Sequence, residues 1–294
     1  HGREHSFPTR RSSDLIRMLR SEDGGKSFSP PFTVHDDRQA ITHRFESIAF
    51  DRKGDLYVTW IDKRDAEAAR ARSGGQKSAY TGAAIYAKVS GDGGKTFSPD
   101  RKLADSSCEC CRIALADSPE GGMTAMWRHV FDGSVRDHAL APLAPGASAA
   151  APVRASEDGW VLAACPHHGP GLTAAAGGGF HAVWFGLKAG KTAVRYGRLQ
   201  ANGKPDGRVR ELPDDKAEHA DVIASGNKVS IVWRSFDGER TRLRAWLSVD
   251  GGEQFVLREL QATKVENDHP RLVGRGNEHF VVWRTEGGIH VQKL

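Results

Sequence analysis

The sequence predicts an all-β fold, a β-propeller of about six four-stranded blades, and three observations carry that expectation. Five segments are period-two apolar runs that end in tryptophan: DLYVTW to Trp60, MTAMW to Trp127, FHAVW to Trp184, VSIVW to Trp233 and HFVVW to Trp283. Their tryptophans are 67, 57, 49 and 50 residues apart, the interval of a repeated four-stranded unit and not that of a sandwich. One glycine-rich turn occurs three times, as Ser21-Glu-Asp23-Gly-Gly25-Lys-Ser27-Phe28, Ser90-Gly-Asp92-Gly-Gly94-Lys-Thr96-Phe97 and Ser248-Val-Asp250-Gly-Gly252-Glu-Gln-Phe255.

Alternation of Val, Tyr, Phe and Trp with other residues makes each run one strand of an antiparallel sheet. Tetrads such as Arg52-Lys-Gly54-Asp55 read as the hairpin leading into it. Two further strands are expected after each tryptophan, for example Ala83 to Val89 and Lys102 to Ala104, joined by the repeated turn. In that turn the Asp carboxylate accepts backbone amides, Ser caps, Gly supplies positive φ, and the closing Phe is expected to pack inward between sheets. Ile16 to Val34 supplies the outer two strands of a first blade, four full blades follow, and His269 to Leu294 supplies about three strands of a last one.

The expected domain is therefore one propeller over residues 16–294, N-terminally truncated in its first blade. Within residues 1–15, the stretch His5 to Leu15, HSFPTRRSSDL, matches the frame translation of a short-read sequencing adapter. Residues 1–15 are read as an adapter scar and non-native leader, any natural signal peptide having been lost ahead of it. With 294 residues, 38% of them hydrophobic, the chain can bury a large core. Its net charge of +5 is mild, and basic residues alternate with acidic ones, so no nucleic-acid partner is indicated. No apolar run approaches the roughly 20 residues of a membrane helix. A monomer is expected, periplasmic or secreted.

The three turns resemble the Asp-box, or BNR repeat, of the sialidase (neuraminidase) superfamily. That resemblance is specific for fold and covers nearly all of residues 16–294. It implies a channel mouth where three arginines hold a substrate carboxylate, a Tyr paired with a Glu acts as nucleophile, and an Asp serves as acid and base. Arg44, Arg112 and Arg271 lie at or near first strands and are the candidate carboxylate arginines. Arg112-Ile113 is similar to the family's Arg-Ile-Pro, with Ala114 in place of the proline. The nucleophile is missing from its expected place, because Tyr57, Tyr80, Tyr86 and Tyr196 all precede the last two blades. Asp36 or Asp37 could serve as acid and base.

First strands of a propeller line its axial channel, so residues entering them converge. Counting back 17 residues from Trp60, Trp127 and Trp184 reaches His43, Cys110 and His167; counting back 14 from Trp233 and Trp283 reaches His219 and His269. Only 13 His and 4 Cys occur in the chain, so five such positions out of five suggest a ring. Taken singly, each His reads equally well as a group that hydrogen-bonds a neighbouring loop, His269-Pro270 above all. Taken together, His43, Cys110, Cys111, Cys165, His167, His168, His219 and His269 offer the imidazole and thiolate donors of copper or zinc. A disulfide clip between Cys165 and one of Cys108, Cys110 and Cys111 is the alternative in an oxidising compartment. The expected function is an extracytoplasmic, non-catalytic propeller that binds a metal ion, small polar ligand or glycan at the channel. The alternative is an exo-alpha-sialidase-type glycoside hydrolase.

Overall fold

The computed structural model describes residues 15–74, 80, 82–143, 151–162, 164 and 166–294. Nearly all of the leader, and Cys165, lie outside those residues. Six antiparallel sheets follow one another along the chain. The first has two strands, β1 (Arg17–Met18) and β2 (Phe32–Thr33). The second holds β3 (His43–Phe50), β4 (Leu56–Asp62), β5 (Ala83–Ser90) and β6 (Arg101–Ser107), with helix α1 (Arg64–Arg72) inserted after β4. The third holds β7 (Ala114–Asp117), β8 (Met123–Arg128), β9 (His138–Leu143) and β10 (Val153–Arg154). The fourth holds β11 (Gly171–Ala174), β12 (Phe180–Lys188), β13 (Lys191–Leu199) and β14 (Pro205–Glu211). The fifth holds β15 (Ala217–Ser225), β16 (Lys228–Phe236), β17 (Thr241–Ser248) and β18 (Val256–Thr263). The sixth has three strands, β19 (Arg271–Arg275), β20 (Glu278–Thr285) and β21 (Gly288–Lys293).

Strand order equals chain order in every sheet, and the first strands β3, β7, β11, β15 and β19 neighbour one another in sequence. That is the propeller arrangement, with each sheet running outward from a common axis. Both faces of an inner sheet are covered, so its second strand has no solvent face; β4 and β8 are buried along their whole length. Five apolar clusters fill the five clefts between consecutive sheets. The five run-ending tryptophans sit on second strands and are all buried. Burying an indole requires a partner for its N–H. Trp60 donates to Asp62 at 2.9 Å, Trp184 to Asp158 at 2.9 Å, Trp233 to Asp214 at 2.8 Å and Trp283 to the Asp268 carbonyl at 2.9 Å.

The repeated turn joins β1 to β2, β5 to β6 and β17 to β18, the outer hairpin each time. In the second copy Asp92 accepts the Lys95 and Thr96 amides at 3.0 and 2.9 Å, and Ser90 accepts the Gly94 amide at 2.8 Å. Gly93 and Gly94 have φ of +71° and +82°, which a side chain would resist. The closing aromatic packs against the preceding sheet: Phe97 lies 6.4 Å from Phe32, and Phe255 lies 5.2 Å from Tyr196 while stacking 4.4 Å from Trp246 of its own sheet. Phe28 departs from the expectation and is 61% exposed, because among the described residues no sheet packs ahead of the first one.

Two outcomes follow. Trp233→Ala removes a fully buried indole from the cleft between the fourth and fifth sheets and should cost about 3–5 kcal/mol in a denaturant titration. The carboxyls of Asp92 and Asp250 lie below the usual carboxylate range because Thr96 and Ser90, or Gln254 and Ser248, donate to them. A depressed carboxyl stabilises the fold above its unfolded value and loses that effect as pH falls through its folded one. Asp92→Asn and Asp250→Asn should therefore melt below the parent at pH 7, and the gap should narrow below about pH 4.

Candidate functional site

The five first strands line an axial channel of about 810 Å³, and at the end where the chain enters them lies a mouth cavity of about 250 Å³. Phe45, Cys110, Arg112, His167, His219, His269 and Arg271 line that mouth. Three of them, Phe45, His167 and His219, adopt left-handed backbone with φ of 56°, 57° and 52°. Such conformations are costly for bulky residues and cluster where the surrounding structure imposes them for a purpose. At Phe45 and His219 the cause is visible: the pairing with the second strand slips between Arg44 and Ser47 and between Glu218 and Asp221, a bulge that turns the residue toward the axis. Gly169 permits the close approach of neighbouring entry loops, since a Cβ there would stand 2.8 Å from the Arg112 carbonyl oxygen.

Strand pairing corrects the register expected from counting. Ser47, Ala114, Gly171, Asp221 and Arg271 each pair with the residue just before their sheet's tryptophan, so these five are equivalent. Two residues earlier stand Phe45, Arg112, Gly169, His219 and His269. His43, Cys110 and His167 stand four earlier, level with Ala217 and Asn267. The first hairpins differ by one residue, whereas the count back from tryptophan allowed for three. The single His/Cys ring therefore divides. Cys110, His167, His219 and His269 share the mouth from two different levels, and His43 does not line it. His43 is buried instead, with its Nε2 2.9 Å from Asp37 and 3.6 Å from Asp62, and its ring stacks 3.9 Å from that of His35. Asp62 also holds the Trp60 indole and Arg64, so His43 belongs to a buried polar network where the loop after the first sheet meets the second sheet.

The imidazoles form a column. Phe185, His168, His219 and His269 stack in that order with ring centroids 4.1, 4.4 and 3.5 Å apart and interplanar angles of 18°, 13° and 10°. Burial first, then nearby guanidiniums and, at His168 and His219, the neighbouring imidazoles, pushes His168 and His269 down to about 4 and His219 down to about 2. All three are neutral at pH 7, which lets the rings stack without charge repulsion. His168 Nδ1 is buried without a hydrogen-bond partner among the described residues.

The thiols form a second, separate cluster. Cys108, Cys110 and Cys111 are 0%, 7% and 1% exposed, and their sulfurs are 3.6, 3.6 and 4.0 Å apart. Those spacings are far above the roughly 2.05 Å of a disulfide. The Cys110 and Cys111 thiols donate to Cys108 and hold its thiol well below the ordinary range, and the same contact pushes Cys111 up to about 12. The expected clip to Cys165 falls outside the described residues.

Of the three candidate arginines, Arg112 and Arg271 line the mouth and Arg44 does not. The Arg44 guanidinium lies 6.0 Å from the Phe45 ring, and one of its nitrogens donates to Thr42 at 3.4 Å. None of the four tyrosines lines the mouth or the channel. Tyr57, Tyr80 and Tyr86 donate to Asp51, Asp105 and Asp65, Tyr196 lies 2.7 Å from the His181 ring, and burial pushes all four phenols up. Asp36 holds Lys88 at 2.5 Å and Asp37 holds His43, both away from the mouth.

Phe45 at the mouth and Asp221 in the channel wall escaped the sequence reading. Phe45 carries no polar signal, and only the pairing slip identifies it. Asp221 could have been noticed as a carboxylate directly before the apolar stretch Val222-Ile223-Ala224 of its first strand. It accepts the Val222 and Leu272 amides at 3.0 and 2.9 Å, lies 3.9 Å from Arg271, and burial raises its carboxyl.

No family model matches the chain, and no curated protein matches it. Among solved structures it is similar to the Hadza microbial sialidase Hz136, at 13% identity and a TM-score of 0.58, covering 95% of this chain and 59% of that one. It is similar to an alpha-L-arabinanase of Penicillium chrysogenum complexed with arabinobiose, at 11% identity and a TM-score of 0.60, covering 97% and 86%. The NanB sialidase of Streptococcus pneumoniae matches at 10% identity and a TM-score of 0.56, covering 95% and 62%. The chain thus spans less than two thirds of the length of either sialidase. The likeness is one of fold, that of a β-propeller.

The neutral column has a pH consequence. Each imidazole binds its proton more weakly folded than unfolded, near 6.5, so the unfolded chain holds more protons between about pH 4 and 6.5. Stability should be full above pH 6.5 and fall as pH drops through that window. His219→Gln should flatten the slope between pH 7 and 5 in denaturant titrations; an unchanged slope would contradict the assignment.

Proposed function

We propose that this chain is an extracytoplasmic, non-hydrolytic propeller that holds a small anionic ligand, of the sugar-acid class, at its channel mouth. One observation carries the reading: Arg112 and Arg271 enter the same 250 Å³ cavity from the third and sixth sheets, beside imidazoles that are neutral at pH 7. Two guanidiniums offer planar forks to a carboxylate, and neutral imidazoles add donors and acceptors without competing charge. The apolar face of Phe45 provides a surface for a sugar ring. Likeness to sialidases and an arabinanase supports a glycan-derived ligand at the level of fold.

A second reading, an exo-sialidase-type hydrolase, is favoured by the same arginines. It lacks a tyrosine at either cavity, which weighs against it. Titration calorimetry with N-acetylneuraminic acid and with glucuronic acid is the direct test. Binding of either, weakened about tenfold or more by Arg112→Ala and by Arg271→Ala, is expected from the loss of a charge-assisted hydrogen bond. A chromogenic sialoside should remain uncleaved. Turnover of that sialoside, lost on Arg271→Ala, would establish the hydrolase instead.

A further inference from the structure

The sulfur triangle has a geometry that ordinary packing of cysteines does not require. Buried thiols normally behave as small apolar groups dispersed through a core. Here three occupy one four-residue turn, and the described apolar side chain packed against them is Phe45. The turn is anchored where the Cys108 amide donates to the Arg128 carbonyl at 2.9 Å. A cation bound by thiolates at about 2.3 Å sets sulfur–sulfur edges of about 3.8 Å in a tetrahedron and about 4.0 Å in a planar triangle. The measured 3.6, 3.6 and 4.0 Å bracket those edges without rearrangement of the turn.

We propose that Cys108, Cys110 and Cys111 form a three-thiolate site for one thiophilic cation, copper(I) or zinc(II), in the wall of the channel mouth and distinct from the imidazole column. Soft thiolates select these ions over calcium, magnesium or manganese. Up to three protons leave the thiols as the ion enters, so the complex carries net negative charge. The guanidiniums of Arg128 and Arg136 act electrostatically on this turn. Arg128 is almost wholly buried, its guanidinium donating to the carbonyls of Arg136, His168 and Phe185, so a buried cation held by neutral acceptors acts on the turn where negative charge would form. Entry is through Cys110, the most exposed of the three and the one that borders the mouth. A CxxC-type exchange centre is the competing use of Cys108 and Cys111, but thiol–disulfide exchange needs an accessible sulfur, and these two are 0% and 1% exposed.

The test uses the full chain, reduced and kept anaerobic, titrated separately with copper(I) and zinc(II) against competing chelators. One equivalent should bind, with X-ray absorption giving an all-sulfur shell of three or more neighbours at about 2.3 Å. Challenge of the zinc form with copper(I) tells the ions apart: displacement of zinc assigns copper, retention assigns zinc. Cys111→Ser should weaken binding about 100-fold or more, whereas a His219→Ala, His269→Ala double variant should still take up one equivalent. If Cys111→Ser fails to fold, the absorption spectrum of the parent protein decides alone. No tight uptake with all thiols titrating as reduced, or imidazole nitrogen in the ion's shell, would overturn the site. Because sugar-acid binding is read by a different titration and lost in different variants, either proposal can fail without the other.

Discussion

Everything in this molecule depends on the face-to-face packing of twisted sheets about one axis. A sheet whose two faces are both covered must have an apolar second strand, and β4 and β8 are buried end to end for that reason. The tryptophan at that position is large enough to fill the cleft to the preceding sheet, and its N–H must then find an acceptor. Where the acceptor is Asp62, two residues after Trp60, the strand supplies it; Asp158, Asp214 and the Asp268 carbonyl are brought by loops. The packing leaves the first strands no room to diverge, and a channel lined by all five follows from geometry before any chemistry is chosen.

What the fold leaves adjustable is the entry to each first strand. A bulge at Phe45 and another at His219 change which residue turns to the axis, and both residues carry left-handed backbone. Strain of this kind costs on the order of 1–3 kcal/mol per residue, which the packed sheets absorb. At the mouth the five sheets present different residue types at equivalent positions: Phe45, Arg112, Gly169, His219 and His269. A ring of like residues would suit a symmetric ion. This set instead suits an asymmetric ligand that meets both guanidiniums and neutral rings.

Much of the fold was legible because period-two hydrophobicity and the Asp-Gly-Gly turns are local signals. The runs ending at Trp60, Trp127, Trp184, Trp233 and Trp283 are the second strands, and Ala83–Ser90 and Arg101–Ser107 fall where two further strands were expected. The site was legible in composition and not in register. Residue types at the mouth could be named from sequence, whereas hairpin length cannot be counted to one residue when bulges and loops interrupt it. That uncertainty placed His43 at the axis when it is buried against Asp37. Side-chain stacking between sheets, as in His168 on His219, depends on distances between segments about 50 residues apart and leaves no local trace.

Separation of the thiols from the stacked pair His219 and His269 follows from the same register. Cys110 stands four residues before its strand's reference position and His219 two, so they reach the mouth at different levels. The backbone between Cys108 and Cys111 is a tight turn, which directs three sulfurs into one buried point. Stacked rings 3.5 Å apart cannot swing toward that point without giving up both their contact and their burial. Two chemistries with different demands, soft thiolates in a dry wall and neutral donors facing a wet cavity, are thereby held side by side without mixing. A propeller achieves this because neighbouring sheets supply each wall independently, and a change in one entry loop leaves the rest of the ring in place.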